Sequence, residues 1–209
     1  MVENTVETVN LDRNEIKGTI EHMEFLSYGT IQVFERRSNR LKILRAWLTF
    51  LGIVLPVTIG GMYLSFGQGD ELMGLIVSIA GIVGVIQLIL STWALVSGWD
   101  SKYEASIKAV QGNTSIYNRC KRFVSTPPED DSEFLRLYNQ ILNDAESQEL
   151  ADLTQHITNA EKNYAYVSAL SYYDRACHAC NQSPNESIKQ RYCSSCGQKK
   201  VKENESKSS

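Results

Sequence analysis

The chain has 209 residues, with 24 acidic and 21 basic side chains for a formal net charge of −3. That length holds one or two ordinary domains, and the charge averages an acidic start, a basic belt and a lysine-bearing tail, so it says little about a nucleic-acid partner. Five cysteines, an odd number, argue against a fully paired disulfide framework.

Residues 1–45 read as an N-terminal cytoplasmic arm. Its start is polar and carries Glu3, Glu7 and Asp12, so no cleaved signal peptide is expected. Ile16, Ile20, Met23 and Leu26 recur near helical spacing, which predicts a helix from about Leu11 to Arg45 with a break at Tyr28-Gly29. The apolar stripe needs a partner helix. Arg36, Arg37, Arg40, Lys42 and Arg45 follow as a basic belt suited to anionic headgroups at a membrane interface.

Residues 46–99 contain two uncharged apolar runs, 46–66 and 72–99, separated only by Gly67-Gln68-Gly69-Asp70-Glu71. The first would span roughly 31 Å as a helix, close to the thickness of a bilayer's hydrocarbon core, and the second is longer and must tilt or project. The pattern predicts a transmembrane hairpin. A hairpin buried in a soluble domain is the alternative, and uncharged helices this long are uncommon in small cores. The belt precedes the first span while the connecting loop carries only Asp70 and Glu71, which places both termini in the cytoplasm. Trp47, Trp93 and Trp99 lie near span ends, where indole rings favour the interface.

Small residues recur along one side of the second span, at Ala80, Gly84, Gln87, Ser91, Ala94 and Gly98, and a similar stripe in the first runs Thr49, Gly52, Pro56, Gly60 and Tyr63. Such stripes let helix backbones approach, and one on each helix suffices to pack the two spans together. Gln87 near mid-membrane needs a partner or water, however, which motivates a homo-oligomer with several second helices around a narrow path.

Residues 100–175 read as a cytoplasmic helical region. Tyr103, Ile107, Val110 and Ile116 predict that the second span's helix extends to about Val124, weakened at Gly112 and ended by Thr126-Pro127-Pro128. Asp130, Asp131 or Ser132 can cap the next helix, which carries Phe134, Leu137, Ile141 and Leu142 on one face, with Leu135 and Tyr138 beside it. A third helix is expected from about Ser147 through Tyr173, on Leu150, Leu153, Ile157, Ala160, Tyr164, Val167 and Leu170. With the arm, these helices can close into a juxtamembrane bundle.

The strongest chemical motif lies at 176–198, where Cys177, Cys180, Cys193 and Cys196 form a C-x2-C-x12-C-x2-C array. Four thiolates satisfy a tetrahedral zinc ion without leaving a water position, so the reading is a structural Zn2+ whose binding folds an otherwise core-less segment. Unmetallated thiols or disulfides are the alternative, and the predicted topology puts all five cysteines in a reducing compartment. His178 competes poorly as a ligand because ligation by adjacent Cys177 and His178 is sterically awkward. Cys120 stands alone as an inert helix residue. Lys199, Lys200 and Lys202 can contact phosphate, but a short lysine run is commonly a solvated tail, and Tyr192 alone makes no base-reading platform, so no sequence-specific nucleic acid is expected. Residues 199–209 read as a disordered tail.

No enzyme is predicted. His22, His156 and His178 are far apart and sit in no catalytic motif, no phosphate loop or dinucleotide fingerprint occurs, and Asp130 with Asp131 has an ordinary capping explanation. These readings predict an all-α membrane protein: a two-helix transmembrane hairpin, a cytoplasmic helical bundle and a small four-cysteine zinc ribbon.

A polar helical arm, the belt from Arg36-Arg37-Ser38-Asn39-Arg40 to Arg45, a tight two-span hairpin, and Trp99 followed by Tyr103 and Ser106 ahead of a helical region together resemble the SLATT family over about residues 10–175. That family comprises two-transmembrane effectors of bacterial nucleotide-signalling and conflict systems. The resemblance implies an oligomerising, pore-forming or membrane-disrupting effector of the bacterial inner membrane, acting in antiphage defence and released by a cytoplasmic nucleotide or protein trigger. The zinc ribbon lies outside the shared region as an addition. A membrane-anchored adaptor whose ribbon recruits a cytoplasmic partner is the alternative function.

Overall fold

The computed structural model describes residues 13–66, 71–185 and 193–197. These are all-helical, in the order α1 (Arg13–Phe66), α2 (Glu71–Val96), α3 (Trp99–Ser125), α4 (Asp131–Leu153) and α5 (Asn159–Tyr172). The expected loop at 67–70 and the lysine-bearing tail lie outside the described residues. Two compact units divide the chain, one of Met1–Phe34 with Lys108–Ser209 and one of Glu35–Ile107.

In the first unit, the stripe of α1 finds its partners. Ile16 and Ile20 are buried with Ile116, Cys120 and Phe123 of α3 and Phe134 and Ile141 of α4. Phe123 and Phe134 pack with ring centroids 4.8 Å apart. Arg13 fastens the start of α1 to the α3–α4 connection, donating from Nε to Asp131 Oδ1 at 2.9 Å and from Nη2 to the Glu129 carbonyl at 2.9 Å, with its guanidinium 4.6 Å from the Phe134 ring centre. Of the three candidate caps for α4, Asp130 takes the position and accepts from the Glu133 N–H at 3.0 Å. Hydrogen bonds from the Ser132 hydroxyl and that N–H hold its carboxyl below the usual range.

Three expectations about helix continuity need correction. Gly29 does not break α1: its bare Cα lets α5 come so close that an added Cβ would stand 2.7 Å from the Ala165 carbonyl oxygen. The helix expected at 147–173 is two helices, because α4 runs on to Leu153 and a new start follows at Thr158. There the Thr158 hydroxyl accepts from the Glu161 N–H at 3.3 Å while the Glu161 carboxylate accepts from the Thr158 N–H at 2.9 Å, a capping box that stops α5 from continuing α4. Leu150 is accordingly 67% exposed, whereas Asp152 is buried.

The third correction falls in the second unit, where α2 and α3 are separate helices. Gly98 has φ +63°, a left-handed conformation that a glycine adopts freely, and its carbonyl then accepts from the Lys102 N–H at 2.9 Å to begin α3. Arg45 ion-pairs with Asp100 at 2.6 Å and lies 4.8 Å over the Tyr103 ring. Ser106 is buried, its hydroxyl donating to the Lys102 carbonyl at 2.7 Å.

Among the described residues two helices are long and apolar enough to cross a membrane, and the most apolar 18-residue stretch of each has no buried residue. At 26 residues α2 extends about 39 Å. Leu95 is 83% exposed, and Leu64 and Val96 are comparably bare.

Candidate metal centre and hairpin seam

The metal centre is built at the end of α5. Asp174 turns left-handed at φ +50°, and the Arg175 N–H reaches back to the Leu170 carbonyl at 2.9 Å, a Schellman closure that reverses the chain and returns Cys177 to the helix it has just left. Asn185 secures the segment beyond the first cysteine pair. Its amide donates to the Ser171 carbonyl and to Asp174 Oδ1, both at 3.1 Å, and its Oδ1 accepts from the Ser171 hydroxyl at 2.6 Å.

The two cysteine pairs repeat one local design. In each, the residue after the second cysteine is left-handed, Asn181 at φ +52° and Gly197 at φ +68°, residue types that tolerate this region. In each, that residue's N–H donates to the carbonyl of the first cysteine, Asn181 to Cys177 at 2.8 Å and Gly197 to Cys193 at 2.7 Å. Each pair is therefore a closed knuckle that directs both sulfurs to one side.

The Sγ atoms of Cys177, Cys180, Cys193 and Cys196 all lie within 4.8 Å of one another. Cys180 and Cys196 are 4.0 Å apart, near the edge of about 3.8 Å that metal–sulfur bonds of about 2.3 Å give a tetrahedron, and about twice a disulfide length. None of the four is in a disulfide, and Cys177, Cys193 and Cys196 are buried. The backbone N–H of Cys196 brings the Cys193 thiol down to about 7, toward the thiolate that a metal requires. Donor type, number and spacing fit a structural metal ion with no position left for water.

The knuckles do not stand apart from the helices. Cys177, Cys193 and Cys196 share a core with Phe25 of α1 and Ala169 and Leu170 of α5, edged by Tyr28, Tyr166, Val167 and Tyr173. Tyr166 packs edge-on to Phe25 at 5.8 Å, and Tyr173 donates to Glu24 Oε1 at 2.8 Å. Burial, then that hydrogen bond, pushes the Tyr173 hydroxyl well above its ordinary value. A Cβ on Gly197 would meet Asn163 Nδ2 at 2.7 Å, so the second knuckle sits directly on α5. His178 is exposed with its Nδ1 2.7 Å from the Tyr166 hydroxyl, outside the sulfur cluster. Burial raises the thiol of Cys120 to about 11, and it lies in the other core. Tyr192, Lys199, Lys200 and Lys202 fall outside the described residues. Sequence reasoning missed Phe25, Tyr166 and Asn163, which carry no motif.

In the hairpin unit, the half-buried face of α1 runs through Leu48, Leu51, Leu55 and Ile59, and that of α2 through Ala80, Val83, Gln87 and Ala94. Gly52 meets this face, since a Cβ there would stand 3.0 Å from Gln87 Nε2. Pro56, inside α1, lacks the N–H that would bond the Gly52 carbonyl. Gly60 and Gly84 face open space, Thr49 is exposed, and Ser91 is exposed in a groove that also includes Gly84 and Gln87. The expected stripes are thus only partly the packed faces, which use larger residues, and Gly98 ends α2 instead of lining it. In the belt, Arg36, Arg40 and Lys42 are exposed, Arg37 is half-buried, and Arg45 is committed to Asp100.

The class this defines is an all-helical chain with two exposed apolar helices and a four-cysteine cluster near its C-terminus. Residues 17–199 match the family described as mobilome CxxCx(11)CxxC protein, and the chain belongs to that family. The match takes in both apolar helices and all four cysteines, so the cysteine pairs belong with the helices, not to a separate addition. Twelve residues separate the pairs here, one more than the family description states. No curated protein and no solved structure matches the chain.

Proposed function

We propose that this chain is a non-enzymatic, zinc-stabilised membrane effector that oligomerises in the bacterial inner membrane and breaches it, in antiphage defence or a related conflict between mobile elements and their hosts. The exposure of the hairpin carries the reading. Two long helices with no buried residue in their most apolar stretches have no stable place in water, and a bilayer is the solvent that suits them. The basic belt argues for both termini in the cytoplasm. Four sulfurs at tetrahedral spacing favour Zn2+ as the structural ion. The SLATT-like layout and the family's mobilome description agree with an effector role. A cytoplasmic nucleotide or protein that prefers one state of the bundle would trigger opening.

A single hairpin cannot enclose a path, so conduction requires several copies, and the α2 groove with Gly84 and Ser91 on its open side is the surface for their contact. The competing reading is an adaptor displaying its zinc ribbon to a partner. Burial of three of the four cysteines against α5 and Phe25 speaks against a ribbon built only for display.

The test is membrane potential, followed with a voltage-sensitive dye in a bacterium expressing the chain with its neighbouring genes. Wild type should depolarise the cell, and Gln87→Leu and Ser91→Leu, at matched membrane levels, should weaken the effect. An unchanged potential under those conditions would sink the pore and leave the adaptor.

A further inference from the structure

The unit that holds the cysteines also contains a cavity of about 620 Å³ among α1, α3, α4 and α5, which shares Phe25, Tyr166 and Ala169 with the surroundings of the sulfurs. That size lies within the roughly 300–1,000 Å³ of pockets that hold small organic ligands. Much of its wall is apolar, through Met23, Leu26, Ile116 and Ile157.

The acidic and basic groups at the cavity wall are Glu149, Asp152, His156 and Lys162, of which Asp152 is the buried one, 7% exposed. Its Oδ2 accepts from Asn113 Nδ2 at 2.7 Å and its Oδ1 from Gln148 Nε2 at 2.8 Å, both neutral amides. Gly112 makes room for this arrangement, because any Cβ there would collide with the Gln148 side chain. Each carboxylate oxygen can accept two hydrogen bonds, so acceptor capacity remains.

The charge is also in an unfavourable place. Asp152 occupies the last turn of α4, which carries no basic residue and whose free carbonyls already make that end negative. Glu149, one turn earlier, lines the same cavity. Among the described residues no lysine or arginine forms an ion pair with Asp152. Burial raises its carboxyl above the ordinary value, with the Glu149 charge adding to the effect. A buried carboxylate at a negative helix end, held only by neutral donors and open to a cavity, is complementary to a cation that brings N–H groups.

We propose that this cavity binds a small organic cation, an amine, amidine or guanidine on an apolar body, whose N–H groups pair with Asp152 and whose body lies against Met23, Leu26 and Ile157. A bare metal ion suits the site poorly, since hard cations ask for a cage of oxygens and most of this wall is hydrocarbon. The proposal is independent of whether the hairpin conducts.

Benzamidine is the probe, titrated calorimetrically into the full chain in detergent, with benzoate as the same-shaped anion. Benzamidine should saturate in the millimolar range and raise the melting temperature, as benzoate should not. Asp152→Asn should weaken binding at least about tenfold. Ala145→Leu, which fills the cavity from α4 without altering a charge, should weaken it too and decides the matter if Asp152→Asn lacks wild-type helical circular dichroism. Absence of saturable benzamidine binding, equal binding of benzoate, or unchanged affinity in a folded Asp152→Asn or Ala145→Leu would overturn the site.

Discussion

Two cores meet α1 within one unit, and they rest on different physics. The first, among α1, α3 and α4, is hydrocarbon: Ile16, Ile20, Ile116, Phe123, Phe134 and Ile141, with the inert Cys120. Each of those side chains contributes by leaving water, and neighbours can partly compensate for the loss of one. The second counts Cys177, Cys193 and Cys196 among its six buried members, beside Phe25, Ala169 and Leu170. Half of that core is cysteine, whose sulfurs lie where one metal ion could hold all four thiolates together. The contrast teaches that the short α5, 14 residues long, rests on a small aromatic and cysteine core whose four sulfurs fit a metal, where α3 and α4 rest on buried hydrocarbon.

Metal removal is the largest expected effect. A strong chelator, or Cys196→Ser, should release the knuckles and α5 together, since structural zinc in small domains contributes roughly 10–16 kcal/mol of apparent binding free energy. Hydrogen exchange should show amides of α5 losing protection while those of α3 and α4 keep theirs. Equal loss in both would mean that the two cores are one cooperative unit. Phe134→Ala comes next, at about 3–5 kcal/mol for a buried phenyl ring. It should lower the melting temperature yet leave one metal ion per chain at low temperature, read by metal analysis, and lost metal would join the two cores energetically. Thr158→Ala is the smallest, about 1 kcal/mol from removing one half of the capping box. Its effect should appear as faster exchange in the first turn of α5 alone.

Much of this was readable from residue order, unevenly. Local chemistry was the legible part: the cysteine spacing, the Pro127-Pro128 stop, a cap within Asp130 to Ser132 and the uncharged runs each depend on near neighbours. Continuity failed where a local signal was outvoted by apolar periodicity. Thr158 and Glu161 stood at capping-box spacing, but Leu150, Leu153 and Ile157 imitated an unbroken stripe across the gap, and the fold exposes Leu150 and Leu153 while burying Asp152. Gly29 read as a breaker because its real use, close approach to Ala165, depends on a helix more than a hundred residues away. The surroundings of the sulfurs were illegible for the same reason. Phe25 and Tyr166 carry no motif and reach the knuckles only through tertiary packing.

The self-closure of each knuckle bears on how this family can vary. Because Asn181 locks to Cys177 and Gly197 to Cys193, the backbone turn of each cysteine pair closes within five residues. Lengthening a connection from eleven residues to twelve changes its closure entropy by only about 0.1 kcal/mol. An insertion there is thus nearly neutral, whereas one inside a pair would spread the sulfurs. Evolution is free to edit the connection while the pairs stay fixed.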